Sequence, residues 1–191
     1  MSSSNAPFGL RPAFHPSGLD RAQALAGGIA SGYSTDILKG QPVKLNTSGN
    51  IVVAAAGDSF QGAFAGVEWT DTTGRRRVSN YWPASTAYVT GSCVAYFYND
   101  PNIVYEIQAD GSLAQTAIGD QADLSNTTAG STTTGLSQCT LSTTLAGAGN
   151  SAQMRIVDLA PYPGNAWGDS YTIVRATISE FQFAGAAGTA I

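Results

Sequence analysis

The chain has 191 residues, 13 of them acidic and 9 basic, for a net charge of −4. Charged residues make up only 12% of it, against roughly 25% in an ordinary soluble domain. With 43% apolar residues it is not a charge-driven disordered chain. The scarcity of Lys and Arg argues against a nucleic-acid-binding domain, whose affinity rests on many phosphate contacts. No apolar run approaches the roughly 18 residues of a membrane-spanning helix.

Residues 1–25 read as an extended N-terminal arm. Pro7, Gly9, Pro12, Pro16 and Gly18 rule out a long helix or a central strand there. The arm nevertheless carries Phe8, Leu10, Phe14 and Leu19, more apolar surface than a solvated tail needs. Burial against something else would repay the entropy of ordering it. The first seven residues lack a basic stretch followed by an apolar one, so no secretory leader is expected.

Residues 26–180 read as a β-rich body. Short apolar or β-branched runs, separated by Gly, Asn, Asp, Pro and Ser, predict strands near 28–34, 42–45, 51–54, 62–70, 88–98, 103–107, 122–124, 136–141, 152–159 and 170–178. Residues 46–50 read as a hairpin loop and 99–102 as a turn. The one short helical candidate is 113–118, after the turn at 110–112. Polar loops are expected at 125–135 and 146–151, and residues 181–191 read as a light C-terminal tail. The spacing suggests a mainly β fold, a compact antiparallel barrel or sandwich.

The search for chemistry is mostly negative. His15 is the single histidine, so a Ser-His-Asp or Cys-His arrangement would have to use it, and no catalytic role is assigned. Cys93 and Cys139 show no zinc-ligand spacing and read as small core residues. Asp100, Glu106, Asp110, Asp120 and Asp123 match no calcium loop. Residues 147–152 formally fit G-x-G-x-x-A, but a strand rather than a helix is predicted after them. No catalytic residue, cofactor or metal is therefore expected.

One charge cluster stands out. Arg75, Arg76 and Arg77 follow one another, with Trp69, Tyr81 and Trp82 close in sequence. Guanidinium groups pair bidentately with carboxylates, and Arg, Trp and Tyr are enriched at interface hot spots. These six residues form a candidate interface patch.

Several phrases carry a resemblance. They are the opening Asn5-Ala6-Pro7-Phe8-Gly9-Leu10-Arg11-Pro12, the stretch from Ile37 to Leu45, Gly66-Val67-Glu68, the run from Asn99 to Gln108, Arg155-Ile156-Val157 and the strand from Tyr171 to Arg175. In this order along one chain they resemble the head decoration, or cement, proteins of tailed bacteriophages. Gln41 stands where Asp is usual in those proteins.

The resemblance implies a non-enzymatic virion protein. It would bind the outer surface of an icosahedral capsid and stabilise contacts between major capsid protein subunits. Pro7, Phe8, Leu10, Arg11 and Phe14 would then anchor the arm on neighbouring subunits. Implied partners are the major capsid protein and further copies of the chain, as a homotrimer first and a dimer second, with no direct nucleic acid or membrane contact. The implied location is the capsid exterior, after synthesis in the bacterial cytoplasm. The alternatives are another virion component (a head fibre, neck or tail-tube protein) and a carbohydrate-binding β-domain using Trp69, Trp82 and Trp167 as platforms.

Overall fold

A computed structural model describes residues 2, 4–17 and 28–184. The predicted ends of the arm and of the C-terminal tail, residues 18–25 and 185–191, lie outside the described residues.

The strands are β1 (Arg11–Phe14), β2 (Pro42–Leu45), β3 (Ile51–Val53), β4 (Gly62–Thr70), β5 (Arg76–Ser79), β6 (Val94–Phe97) and β7 (Val104–Gln108). They continue with β8 (Gln121–Ser125), β9 (Gly130–Ser131), β10 (Leu136–Ser137), β11 (Thr140–Leu145), β12 (Met154–Leu159) and β13 (Ile173–Ile178). A six-stranded sheet runs β1-β7-β13-β12-β8-β11. A five-stranded sheet runs β3-β2-β4-β5, with β6 on the other side of β4, and β9 pairs β10. All of these pairings are antiparallel. Both large sheets are open, so the fold is a sandwich rather than a closed barrel.

Two apolar clusters hold it together. One fills the six-stranded side with Leu10, Phe60, Tyr105, Ile107, Leu124, Leu141, Met154 and Val174. The other fills the five-stranded side with Ile29, Ile37, Val43, Phe64, Trp69, Trp82 and Phe97. Strand β4 serves both, because its alternation sends Ala63 to the first cluster and Phe64 to the second.

Differences from the predicted elements have local causes. Residues 28–34 form no strand: Tyr33 N–H closes a turn on the Ala30 carbonyl, and Gly32 N–H reaches Thr86, although Ile29 is fully buried. The predicted 88–98 strand is reduced to β6 and a bridge at Tyr88, because Gly91 takes φ +80° and Ser92 N–H turns back onto Val89. The 136–141 run splits into β10 and β11, with Ser137 Oγ accepting the Cys139 N–H. The helical candidate shrinks to one 3-10 turn, Gln115–Ala117. A strand, β12, does follow the Gly-rich 147–152 segment.

The largest correction concerns the arm. Its middle is β1, an edge strand of the chain's own six-stranded sheet, paired with β7. Pro12 is tolerated because, among the described residues, only one edge of β1 is paired. Leu10 is 1% exposed within the first cluster, so it anchors the arm to its own body. The arm therefore serves as part of the chain's own fold.

Candidate interaction surface

Register builds a row of charges across the six-stranded sheet. Arg11 on β1 and Arg175 on β13 both stand opposite Glu106 on β7, and Asp158 on β12 stands opposite Arg175. Directly paired residues share a face, so four charges of alternating sign lie side by side. Arg11 Nη2 is 2.8 Å from Glu106 Oε2, Arg175 Nε is 3.7 Å from Glu106 Oε1, and Arg175 Nη1 is 3.5 Å from Asp158 Oδ2.

The Tyr162 hydroxyl donates to Glu106 and also receives a hydrogen bond from Arg11. Burial, and the bond to Glu106 after it, push the Tyr162 phenol above its ordinary range. Arg11 lies between two rings, 4.5 Å from the Phe8 centroid and 5.4 Å from that of Tyr162. Arg175 lies 5.3 Å from the Phe14 ring, which is 42% exposed. Further up the arm, Gln108 accepts from Ala6 N–H and donates to the Ser4 carbonyl, while Pro7 is half-buried. The predicted arm anchors thus meet, but on this chain's own sheet.

His15 sits between Ser17 and Asp100: Ser17 Oγ is 2.5 Å from Nδ1, and Asp100 Oδ2 is 3.2 Å from Nε2. Resemblance to a nucleophile-base-acid relay ends there. Ser17 also donates its backbone N–H to Nδ1, which makes it a local turn on the ring, and Asp100 Oδ1 caps Asn102 in the β6–β7 turn. Among the described residues no group of three or more His, Cys, Asp or Glu side chains is placed to hold a metal ion. Cys93 and Cys139 are buried and unpaired, and burial pushes the Cys139 thiol up to about 12.

The second predicted patch divides in two. Trp69 and Trp82 belong to the core, at 7% and 0% exposure, with ring centroids 5.5 Å apart in a T-shaped contact. Tyr81 is half-buried, and Trp167 packs partly buried against the first cluster. Trp69 and Trp82 therefore offer no sugar platform. For Trp69 the physical reason is the alternation of β4, which turns Val67 and Trp69 inward and Glu68 and Thr70 outward, whereas Trp82 is held by a pair of backbone hydrogen bonds with the buried Ile37.

The arginines stay outside, on the β4–β5 hairpin. Residues 72–78 are all exposed, and Val78 is 76% exposed. Asp71 organises the turn: its carboxylate accepts from Thr73 Oγ1, from the Thr73 and Arg75 N–H groups, and from Arg77 Nε at 2.9 Å. Those bonds, the Thr73 hydroxyl first, hold Asp71 well below the usual carboxylate range. Arg76 pairs with Glu68 at 2.6 Å, and the Tyr96 hydroxyl, more than Arg76, lowers the Glu68 pKa. Arg75 has no side-chain partner among the described residues.

Among the described residues strand β5 is bonded only to β4, which leaves its other edge open there. The observed pairing register leaves the backbone groups of Arg76 and Val78 facing away from β4. Sequence reasoning located the arginine cluster but missed Val78, Glu106, Tyr162 and Arg175. For Val78 a signal existed in the run Arg76-Arg77-Val78-Ser79, which suits an edge strand. For Glu106 there was none, since its partners lie on strands remote in the chain. Comparison with family models, with curated proteins and with solved structures finds no match for this chain.

Proposed function

We propose that this chain is a virion structural protein that decorates the outside of an icosahedral tailed-phage head and reinforces contacts between major capsid protein subunits, without catalysis or a cofactor. The phrases spread along the sequence suggest that role. The observation that carries it in the structure is the β4–β5 hairpin. An open edge strand with an exposed Val78 and an unpartnered Arg75 suits strand addition to another polypeptide, in which main-chain hydrogen bonds supply affinity. Arg76 and Arg77 are already neutralised within the hairpin, so the contact does not need a strongly acidic lattice. Many copies on a repeating shell turn a modest single contact into tight overall retention. The small negative excess suits an exterior position better than one against packaged DNA.

The test is co-sedimentation with expanded capsids that lack the protein. Saturable binding to expanded shells, weakened by Val78→Asp while the body keeps its fold, is the expected result. Absence of binding to any shell form overturns the proposal.

A further inference from the structure

An apolar cleft of about 220 Å³ opens between β1 and the β9–β10 pair. Phe8, Pro12, Phe64, Tyr98 and Leu136 wall it, and Arg11 and Lys39 also line it. Its shape is set by backbone. Leu10 N–H donates to the Gly40 carbonyl at 2.8 Å, and Gly40 N–H donates to the Phe64 carbonyl at 2.8 Å. A Cβ on Gly9 would stand 2.7 Å from the Gly40 oxygen, and one on Gly40 3.3 Å from the Leu10 oxygen. Glycine at both positions is what lets the arm pass this close. The opposite wall is tied as firmly: Lys39 N–H donates to Gly135 and Ser137 N–H to Lys39, both at 2.9 Å. The cleft is therefore pre-formed, which lowers the ordering cost of filling it.

Its charges are uneven. Arg11 is engaged by Glu106 and Tyr162, whereas the Lys39 ammonium has no hydrogen-bond or ion-pair partner among the described residues. Leu136, across from it, is 45% exposed. In a chain of net charge −4, this is an apolar socket with a free cation beside it. Asn80, just past β5, donates to the Thr134 carbonyl at 3.0 Å, which joins the base of the exposed hairpin to the segment leading into Leu136.

We propose that this cleft receives an aromatic or large aliphatic side chain of a partner polypeptide, with a carboxylate next to it in the partner's sequence meeting Lys39. Interface hot spots take this form, an apolar anchor in a desolvated pocket beside a charge. The arm residues Phe8, Leu10, Arg11 and Pro12 then act as one wall of a receptor rather than as a reaching ligand. Only the identification of that partner with a capsid subunit rests on the decoration reading; the chemistry of the socket does not.

The experiment is an amide NMR titration of the full chain with blocked pentapeptides. The acidic aromatic probe is Gly-Asp-Phe-Glu-Gly; its comparators are Gly-Asn-Phe-Gln-Gly, Gly-Asp-Ala-Glu-Gly and free phenylacetate. The acidic aromatic peptide is expected to shift Lys39, Gly40 and Leu136 and to bind at least about tenfold more tightly than each comparator. Lys39→Glu and Leu136→Ser, both at exposed side chains, should each remove that preference with melting unchanged. Equal binding of the charged and neutral aromatic peptides overturns the proposal. So does phenylacetate matching the peptide, which would make the cleft a small-molecule site. Concentration-dependent shifts at these amides without any probe would assign it to a second copy and overturn it as well. Because the readout needs no capsid, failure here and failure of shell binding are separate results.

Discussion

The arm and the β4–β5 hairpin share a theme in sequence, arginine and apolar side chains beside turn residues, yet they have opposite fates. In the arm, Leu10 is buried in the core, Arg11 is stacked between two rings and held by Glu106, and the backbone completes the six-stranded sheet. In the hairpin, residues 72–78 stay exposed and the outer edge of β5 has no strand partner among the described residues. What separates them is where the partners come from. Glu68 and Asp71 satisfy Arg76 and Arg77 from within the same hairpin, so neither of these two arginines draws it onto the body. Arg11 finds its carboxylate on a strand far along the chain, and meeting it folds the arm down.

The greatest contrast is expected from truncating each region's exposed or buried apolar residue. Leu10→Ala should lower unfolding stability by about 2–5 kcal/mol in denaturant melts, because it empties a buried site. Val78→Ser should change it by no more than about 0.5 kcal/mol, as surface substitutions do. Comparable losses at the two positions would erase the distinction between them.

Glu106→Gln comes next. Removing the charge of the carboxylate that accepts from Arg11 and Tyr162 and pairs with Arg175 should cost about 1.5–3 kcal/mol, the scale of hydrogen bonds to a charged group. Amide hydrogen exchange should accelerate across residues 10–14 and stay unchanged across the hairpin. Acceleration in both regions would mean that the charge row supports the whole sandwich rather than the arm.

The smallest effect is in pH. Asp71 has a folded pKa below its ordinary 3.8, so protons bind the unfolded form more readily. Its contribution is therefore fully present above about pH 4 and is lost only as pH falls through the folded value. An NMR titration of the Asp71 carboxyl should place its midpoint below 3.8; a midpoint at or above 3.8 would show that the hairpin turn is not organised by this group.

Much of the fold was legible in short-range pattern. Pro42–Leu45 and Gly62–Thr70 agree with the predicted strands, and Asn46 N–H meets the Asn50 carbonyl in the predicted hairpin loop. Burial of alternate residues along a strand leaves a trace in the sequence, and long-range pairing does not. Arg11, whose run holds prolines and a glycine, gives no hint of pairing with Glu106 95 positions away. Trp69 and Trp82 were misplaced for a related reason. Proximity to an arginine triplet in sequence suggests a shared surface, but on β4 the tryptophan and the outward-facing Glu68 lie on opposite faces. The lining of the Lys39 cleft is drawn from segments scattered between Phe8 and Leu136, so no local motif announces it.

The central claim, that the chain reinforces a capsid, is tested most directly by heating. Expanded capsids lacking the protein are melted with and without a saturating amount of the purified chain. Binding to the native shell alone raises its apparent melting temperature, increasingly so as free protein is added, until all sites are filled. Shells that bind the protein yet melt at the same temperature as bare shells would contradict a stabilising role.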